Sequence, residues 1–147
     1  MTIAKTTAAS AKPAPLVFVS SFAAGEKGAI HAYRLNLKSG ALKKLATTKE
    51  IENPFFMALS KDNRFLYAID TPNFGKEINQ VAAFSLKGRS GNLKLLNRQP
   101  THSKASCYLD VDATGKTVVV ANYSTGDVGS LPVKKNGSLN RMESLFR

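Results

Sequence analysis

The sequence contains no tryptophan, a single cysteine, and only 10 acidic residues against 21 lysines and arginines. The lone cysteine, Cys107, excludes a disulfide within the chain. No apolar run approaches the roughly 18 residues that a membrane-spanning helix requires, and residues 1–15 lack the continuous apolar stretch of a secretory signal. These first 15 residues are small, polar and proline-containing, which predicts a disordered leader. We therefore expect a cytoplasmic protein with no membrane partner.

The shortage of acidic residues gives the chain a net charge of +11. Such a charge favours an anionic partner, and nucleic acid is the first to consider. The basic residues are scattered through turns, however, and no aromatic stripe accompanies them, as it would in many nucleic-acid interfaces. The pattern therefore favours a small anionic substrate over nucleic acid.

The most informative pattern is an internal repeat of about 50 residues. Residues 56–70 and 108–122 both read as a short strand, a polar turn, a strongly β-prone strand and then Asp or Asn. A second pattern, an alternating strand followed by a glycine turn, is shared by residues 29–42 and 80–93. A shorter third copy covers residues 128–139. These repeats predict several similar units rather than one irregular domain.

Each unit holds four strands, and no segment has the sustained 3.6-residue apolar period of a helix. In the middle unit the predicted strands are 55–60, 65–70, 80–86 and 92–97. Four antiparallel strands at this period describe a blade of a β-propeller, and blades stack because one blade cannot cover both of its faces. The predicted blade repeats after the leader are 16–52, 53–104 and 105–147.

This all-β chain therefore supplies about two and three-quarter blades, whereas a closed ring needs at least about four. The first copy begins at what reads as the second strand of its blade. Open blade faces expose apolar surface and strand edges. We expect the 147-residue chain made alone to associate or aggregate.

Several strand segments resemble the N-terminal blades of the seven-bladed lactonase family, namely residues 17–21, 53–60, 64–68 and 118–123. The family includes bacterial propeller-type 6-phosphogluconolactonases, and fungal carboxy-muconate lactonizing enzymes share its fold. The resemblance covers residues 16–147. It implies an enzyme of the pentose phosphate pathway that hydrolyses 6-phosphogluconolactone, an anionic sugar lactone, to 6-phosphogluconate. It also implies no cofactor, a monomeric full-length protein, and a chain that forms the first two-fifths of it.

One departure from the family pattern concerns the start of the third repeat. Many members carry Pro-Cys-His there, but this sequence has Ser106, Cys107 and Tyr108, so no role of that histidine can be carried over. The residues usually proposed for catalysis in the family fall in later blades, which by position lie beyond Arg147. No catalytic residue is therefore assigned, and this chain alone is expected to be inactive.

Lactone hydrolysis needs a base to activate water, donors for the oxyanion and groups that hold the sugar phosphate. Propeller sites lie at one end of the central channel, so polar residues at strand ends are the candidates for substrate binding. Asn122 and Tyr123 follow a buried strand, and Asp70 occupies the repeat position of Asn122. Asn53 and Cys107 enter the innermost strands. The alternative interpretation of these residues is local turn chemistry, or an inert buried thiol in the case of Cys107.

No metal site is predicted. His31 and His102 have no other ligand at metal-binding spacing, and Asp112, which alternates with Asp110, is better explained by the turn that follows it. Two other functions stay open: a non-catalytic propeller binding module and a muconate-type cycloisomerase. The chain lacks the Gly-His and Trp-Asp signatures of scaffold propellers, which argues against the binding module.

Overall fold

A computed structural model of the chain describes residues 13–23 and 27–147. The first 12 residues of the predicted leader lie outside the described residues. The described part of the chain is built from eleven strands in three antiparallel sheets, and it has no helix long and apolar enough to cross a membrane.

The strands follow one another through the three sheets in chain order. The first sheet contains β1 (Leu16–Ser20), β2 (Ile30–Leu35) and β3 (Leu42–Thr48). The second sheet contains β4 (Met57–Leu59), β5 (Phe65–Asp70), β6 (Ile78–Leu86) and β7 (Leu93–Lys104). The third sheet contains β8 (Ser106–Val111), β9 (Thr117–Asn122), β10 (Asp127–Pro132) and β11 (Ser144–Phe146). Up-and-down sheets of three and four strands confirm the predicted all-β fold class. The blade bounds after residues 52 and 104 stay a prediction.

Two strands differ in length from the sequence prediction. Strand β4 has three residues, and β7 has 12 and runs to Lys104 instead of ending at 97. The sequence prediction for β7 is too short because Pro100, which lacks a backbone N–H, interrupts the sequence pattern of a β-strand. In the structure β7 pairs only with β6 inside its sheet. An edge strand tolerates a missing donor, so the strand continues through Pro100.

The middle sheet is covered on both faces. Alternate residues of a strand point to opposite faces, so Leu66 and Ala68 of β5 pack with the first sheet, in a cluster that includes Ile30 and Ile51. Tyr67 and Ile69 pack with the third sheet. Burying one large apolar side chain contributes about 1.5–3 kcal/mol, so these two clusters hold the three sheets against each other.

The antiparallel register gives the second and third sheets two distinct ends. Strand β8 begins beside the end of β9, with Ser106 opposite Asn122, and β4 begins beside the end of β5, with Met57 opposite Ala68. We call this the upper end. The lower end carries the β4–β5 and β8–β9 turns, where Asn63 (φ 56°) and Gly115 (φ 71°) adopt the left-handed backbone that such turn residues tolerate.

Candidate functional site

Asn122 is held from both sides at the upper end of the third sheet. The Ser106 hydroxyl donates to Asn122 Oδ1 over 2.5 Å. Asn122 Nδ2 donates to Asp127 Oδ1 over 2.6 Å. All three residues are buried. Because both ends of the Asn122 amide are engaged, this side chain positions the β9–β10 turn.

Asp127, at the first position of β10, is a buried carboxylate with several donors. Ser103 Oγ donates to Asp127 Oδ2 over 2.7 Å, and Arg147 Nε lies 3.9 Å from the same oxygen. Burial acts to raise the pKa of Asp127, but hydrogen bonds from Thr125, Ser103 and Asn122, with the Arg147 charge, hold the pKa below its ordinary value. These hydrogen bonds and the Arg147 charge therefore stabilise the ionised form of the buried Asp127 carboxylate.

A chain of hydrogen bonds continues from this carboxylate into the second sheet. The Ser106 N–H donates to Asn79 Oδ1 over 2.7 Å, and Asn79 Nδ2 donates to Thr71 Oγ1 over 2.6 Å. The Thr101 hydroxyl donates to the Asn79 carbonyl over 3.0 Å. We call these seven buried residues the polar network: Thr71, Asn79, Thr101, Ser103, Ser106, Asn122 and Asp127. Fully satisfied networks of this kind rigidify a site.

Asp70, the repeat counterpart of Asn122, has different partners. Arg98 Nε donates to Asp70 Oδ2 over 2.5 Å, and the Glu52 N–H donates to Asp70 Oδ1 over 3.0 Å. Arg98 also donates to the Glu50 carbonyl over 2.5 Å. Asp70 thus fastens the β3–β4 connection to the second sheet, and its carboxylate is 4% exposed.

The other three candidates lie around the upper end and differ in how far their side chains are hydrogen-bonded and exposed. Asn53 has φ of 43°, and its side-chain amide donates to the carbonyls of Thr71 and Pro72 over 3.2 and 3.3 Å. Cys107 is half-buried, with Sγ 3.7 Å from the Ala121 carbonyl. Tyr123 is 79% exposed, although its backbone N–H is bound to the Ala105 carbonyl. Of these candidates, Tyr123 has the side chain most available to a ligand.

The exposed face of the innermost strand β8 adds two side chains that sequence reasoning did not select. Tyr108, which is 50% exposed, packs its ring against Phe56 with centroids 4.4 Å apart. Asp110 lies two residues further along, on the same face of the strand, and it is exposed. The apolar–polar alternation of β8, with Leu109 buried between them, was the signal that could have identified this pair.

Three phenylalanines from three loops form an exposed cluster at the upper end. Phe55 and Phe74 are stacked with centroids 5.0 Å apart, and Phe22 meets both rings edge-on at 6.3 and 6.2 Å. They are 45%, 39% and 61% exposed in that order. The cluster gives the upper end an apolar rim beside the polar side chains.

Metal-ligating side chains are not grouped here. Within residues 13–23 and 27–147 no three His, Cys, Asp or Glu side chains lie close enough to hold an ion. His31 Nδ1 instead lies 3.2 Å from Thr47 Oγ1.

Comparison with protein families gives the assignment. The model of a family described as lactonase, 7-bladed beta-propeller, matches residues 16–147. The chain belongs to this family. The predicted resemblance is confirmed, and the three sheets are propeller blades of a lactonase-family chain.

Named relatives and solved structures are similar to this chain over most of its length. The chain is 28% identical over 131 residues to a 6-phosphogluconolactonase of Formosa agariphila, covering 88% of this chain and 37% of that protein. It is 31% identical over 122 residues to the 6-phosphogluconolactonase of Bacillus subtilis, covering 83% and 34%. A crystal structure of a candidate 6-phosphogluconolactonase from Bacteroides fragilis superposes with a TM-score of 0.84 at 28% identity, covering 95% and 38%.

A periplasmic gluconolactonase of Pseudomonas aeruginosa also superposes, with a TM-score of 0.77 at 25% identity, covering 88% of this chain and 37% of that one. The lactonase-family chain thus spans about a third of the length of the curated relatives it matches.

Proposed function

We propose that the protein of which this chain forms the described blades hydrolyses a sugar lactone, 6-phosphogluconolactone, to 6-phosphogluconate. The observation that carries the proposal is the family match over residues 16–147, together with two curated relatives that bear this name. In the reaction water attacks the lactone carbonyl, the ring C–O bond breaks, and the ring oxygen leaves as a hydroxyl. The compartment proposed from the sequence is the cytoplasm, although one structural neighbour is named periplasmic.

Within that reaction the described residues bind and orient the sugar. The phenols of Tyr108 and Tyr123 are exposed at the upper end, and each can donate a hydrogen bond to a sugar oxygen. The carboxylate of Asp110, two residues further along β8, accepts the Val111 N–H at Oδ1 over 2.8 Å and can accept a sugar hydroxyl at Oδ2. The polar network behind them fixes the β9–β10 turn and the start of β8, and preorganised contacts of this kind lower the barrier by holding the substrate in place.

A domain-replacement experiment tests the proposal. The 122-residue segment of the Bacillus subtilis relative that matches this chain would be exchanged for the corresponding segment of this chain, and hydrolysis of 6-phosphogluconolactone would be followed by acid release. We expect activity well above the spontaneous rate. Tyr108→Phe in the hybrid should raise KM about three- to tenfold, because one neutral hydrogen bond contributes about 0.5–1.5 kcal/mol.

Tyr33→Phe, on β2, is the matched control and should leave KM unchanged. A hybrid that is monomeric and β-rich by circular dichroism, yet hydrolyses the lactone only at the background rate, would contradict the proposal. Conversion of a muconate to its lactone by the same hybrid would favour the cycloisomerase alternative instead.

A further inference from the structure

A cleft opens at the lower end, away from the lactone site proposed above. It lies between the β4–β5 turn, the β8–β9 turn and the end of β10, and its volume is about 730 Å³. Cavities of roughly 300–1,000 Å³ are typical of small-molecule sites. The cleft is therefore large enough for a compact organic ligand and is bounded by turns on both sides.

The walls of the cleft are basic and its floor is apolar. Phe65, Pro132 and Val133 are partly buried and form the floor. The cationic side chains of the walls come from both blades, and they are Lys61, Arg64, Lys116, Lys134 and Lys135. A ligand that fits both features combines an apolar ring system with several negative charges.

The acidic groups near the cleft are already engaged. Asp62 Oδ2 accepts from Arg64 Nε over 2.6 Å, and hydrogen bonds from Ser60 and Arg64 lower the pKa of Asp62 to about 2. Asp112 accepts the backbone N–H groups of its own turn. Within the part of the chain that the structure describes, none of the four cleft lysines makes an ion pair. Their charges are therefore available to an anion.

The turn that carries Lys134 and Lys135 is fixed against the neighbouring blade. The Tyr67 hydroxyl donates to the Gly137 carbonyl over 3.1 Å. Gly137 has φ of 85°, and a Cβ there would collide with the Phe65 ring. Asn97 and Leu139 exchange two hydrogen bonds of 2.8 and 2.9 Å. The two lysines are thus presented by a rigid backbone, which reduces the entropy cost of binding.

We propose that this cleft binds a nucleoside di- or triphosphate. The base lies against Pro132 and Val133, beside the Phe65 ring that the Arg64 guanidinium covers 5.2 Å from its centroid, and the phosphates lie among the lysines of the walls. A nucleotide fits better than an acidic peptide because the cleft is closed by a turn on each side, whereas an extended peptide needs an open groove or a sheet edge.

Calorimetric titration of the hybrid protein described above, in which this chain's segment replaces that of the Bacillus subtilis relative, tests this inference. The probes are ATP, inorganic tripolyphosphate, adenosine and an acidic peptide of matched charge, each at low and high salt. We expect ATP to bind about tenfold more tightly than tripolyphosphate, because the base adds apolar contact with the floor of the cleft. Binding should weaken as salt rises, and adenosine alone should bind more weakly than ATP.

Charge reversal identifies the site. Lys134→Glu/Lys135→Glu and, from the two turns that flank the cleft, Lys61→Glu/Lys116→Glu should each weaken ATP binding at least about tenfold, since attraction between lysine and phosphate becomes repulsion at close range. The matched control is Lys87→Glu/Lys94→Glu, two exposed lysines outside the cleft, which should change the affinity less than about twofold. Unfolding midpoints identify any variant that is merely misfolded.

Four results would overturn the inference. An equal loss of ATP affinity in the Lys87→Glu/Lys94→Glu control would mean that binding depends only on the net charge of the protein. Equal affinities for ATP and tripolyphosphate would mean that the cleft does not contact the base. Tighter binding of the acidic peptide would assign the cleft to a protein partner. If ATP gave no heat of binding with the folded hybrid, the cleft would not be a nucleotide site.

Discussion

Asn122 Nδ2 donates to Asp127 Oδ1 over 2.6 Å, so the last residue of β9 and the first residue of β10 are joined by their side chains. The backbone closes the same turn, because the Gly126 N–H donates to the Asn122 carbonyl over 3.0 Å. Tyr123 lies inside this turn. A side chain proposed to meet the substrate is therefore carried by one of the most fully hydrogen-bonded segments of the upper end.

Removing the Asn122 amide should destabilise the protein. Asn122→Ala removes the donor to one oxygen of the buried Asp127 and leaves the Ser106 hydroxyl only its longer contact of 3.3 Å with Thr101. Leaving buried polar groups poorly satisfied costs about 1–3 kcal/mol. The measurement is the urea midpoint at neutral pH. Tyr123→Ala, one residue away and 79% exposed, is the control and should stay within about 0.5 kcal/mol. Equal losses for the two variants would show that the network does not act as described.

Asp127 should make stability fall in acid. Because its pKa in the folded protein lies below the ordinary value of 3.8, the unfolded chain binds the proton more readily. The contribution is therefore complete above about pH 5 and is lost as pH falls through the folded-state pKa. Urea unfolding between neutral pH and pH 3 measures this loss. Asp127→Asn should flatten the acid branch, and an unchanged acid branch would contradict the assignment.

Gly137→Ala should be much more costly than the same change at Gly40. Both glycines have a left-handed backbone, with φ of 85° and 73°, but a Cβ at Gly137 meets Phe65 whereas one at Gly40 meets nothing within 4 Å. Backbone strain alone costs about 1–2 kcal/mol, and the overpacking at Phe65 adds about 1–3 kcal/mol. Thermal or urea unfolding of the two variants compares them directly, and similar losses would refute the close approach.

Arg98 should matter mainly because Asp70 is buried. Arg98→Met removes the partner of a carboxylate that is 4% exposed, and the unpaired charge costs about 2–4 kcal/mol. Asp70→Asn added to Arg98→Met should restore part of that stability, since the neutral amide no longer needs a cation. A double-mutant cycle by urea unfolding measures the coupling; additive losses would mean that the two residues act independently.

The repeat pattern predicted the architecture because β-strand periodicity and turn residues are local properties of the sequence. Strand β7 was placed too short because Pro100 is a breaker in most strands, and only its position at an edge makes it tolerable.

The site was harder to predict because its key contacts join distant parts of the chain. Asn122 was selected as a strand-end residue, but its partner Asp127 was not. The signal was a polar residue near the start of the third strand in both four-stranded sheets, which is Asn79 in β6 and Asp127 in β10. The partners of Ser106 were not predicted. Its contacts with Asn79 and Asn122 span 27 and 16 residues, and such pairings are set by how blades stack rather than by local pattern.

The double covering of the middle sheet has a consequence for synthesis of the protein. Residues 57–104 leave the ribosome before the β8–β11 sheet exists, so the Tyr67 and Ile69 face waits without its cover while roughly 40 more residues are added. At about 5–20 residues per second this interval lasts roughly 2–8 s. The apolar face of a half-built blade stack is thus open to chaperones and to other nascent chains for seconds in every round of translation.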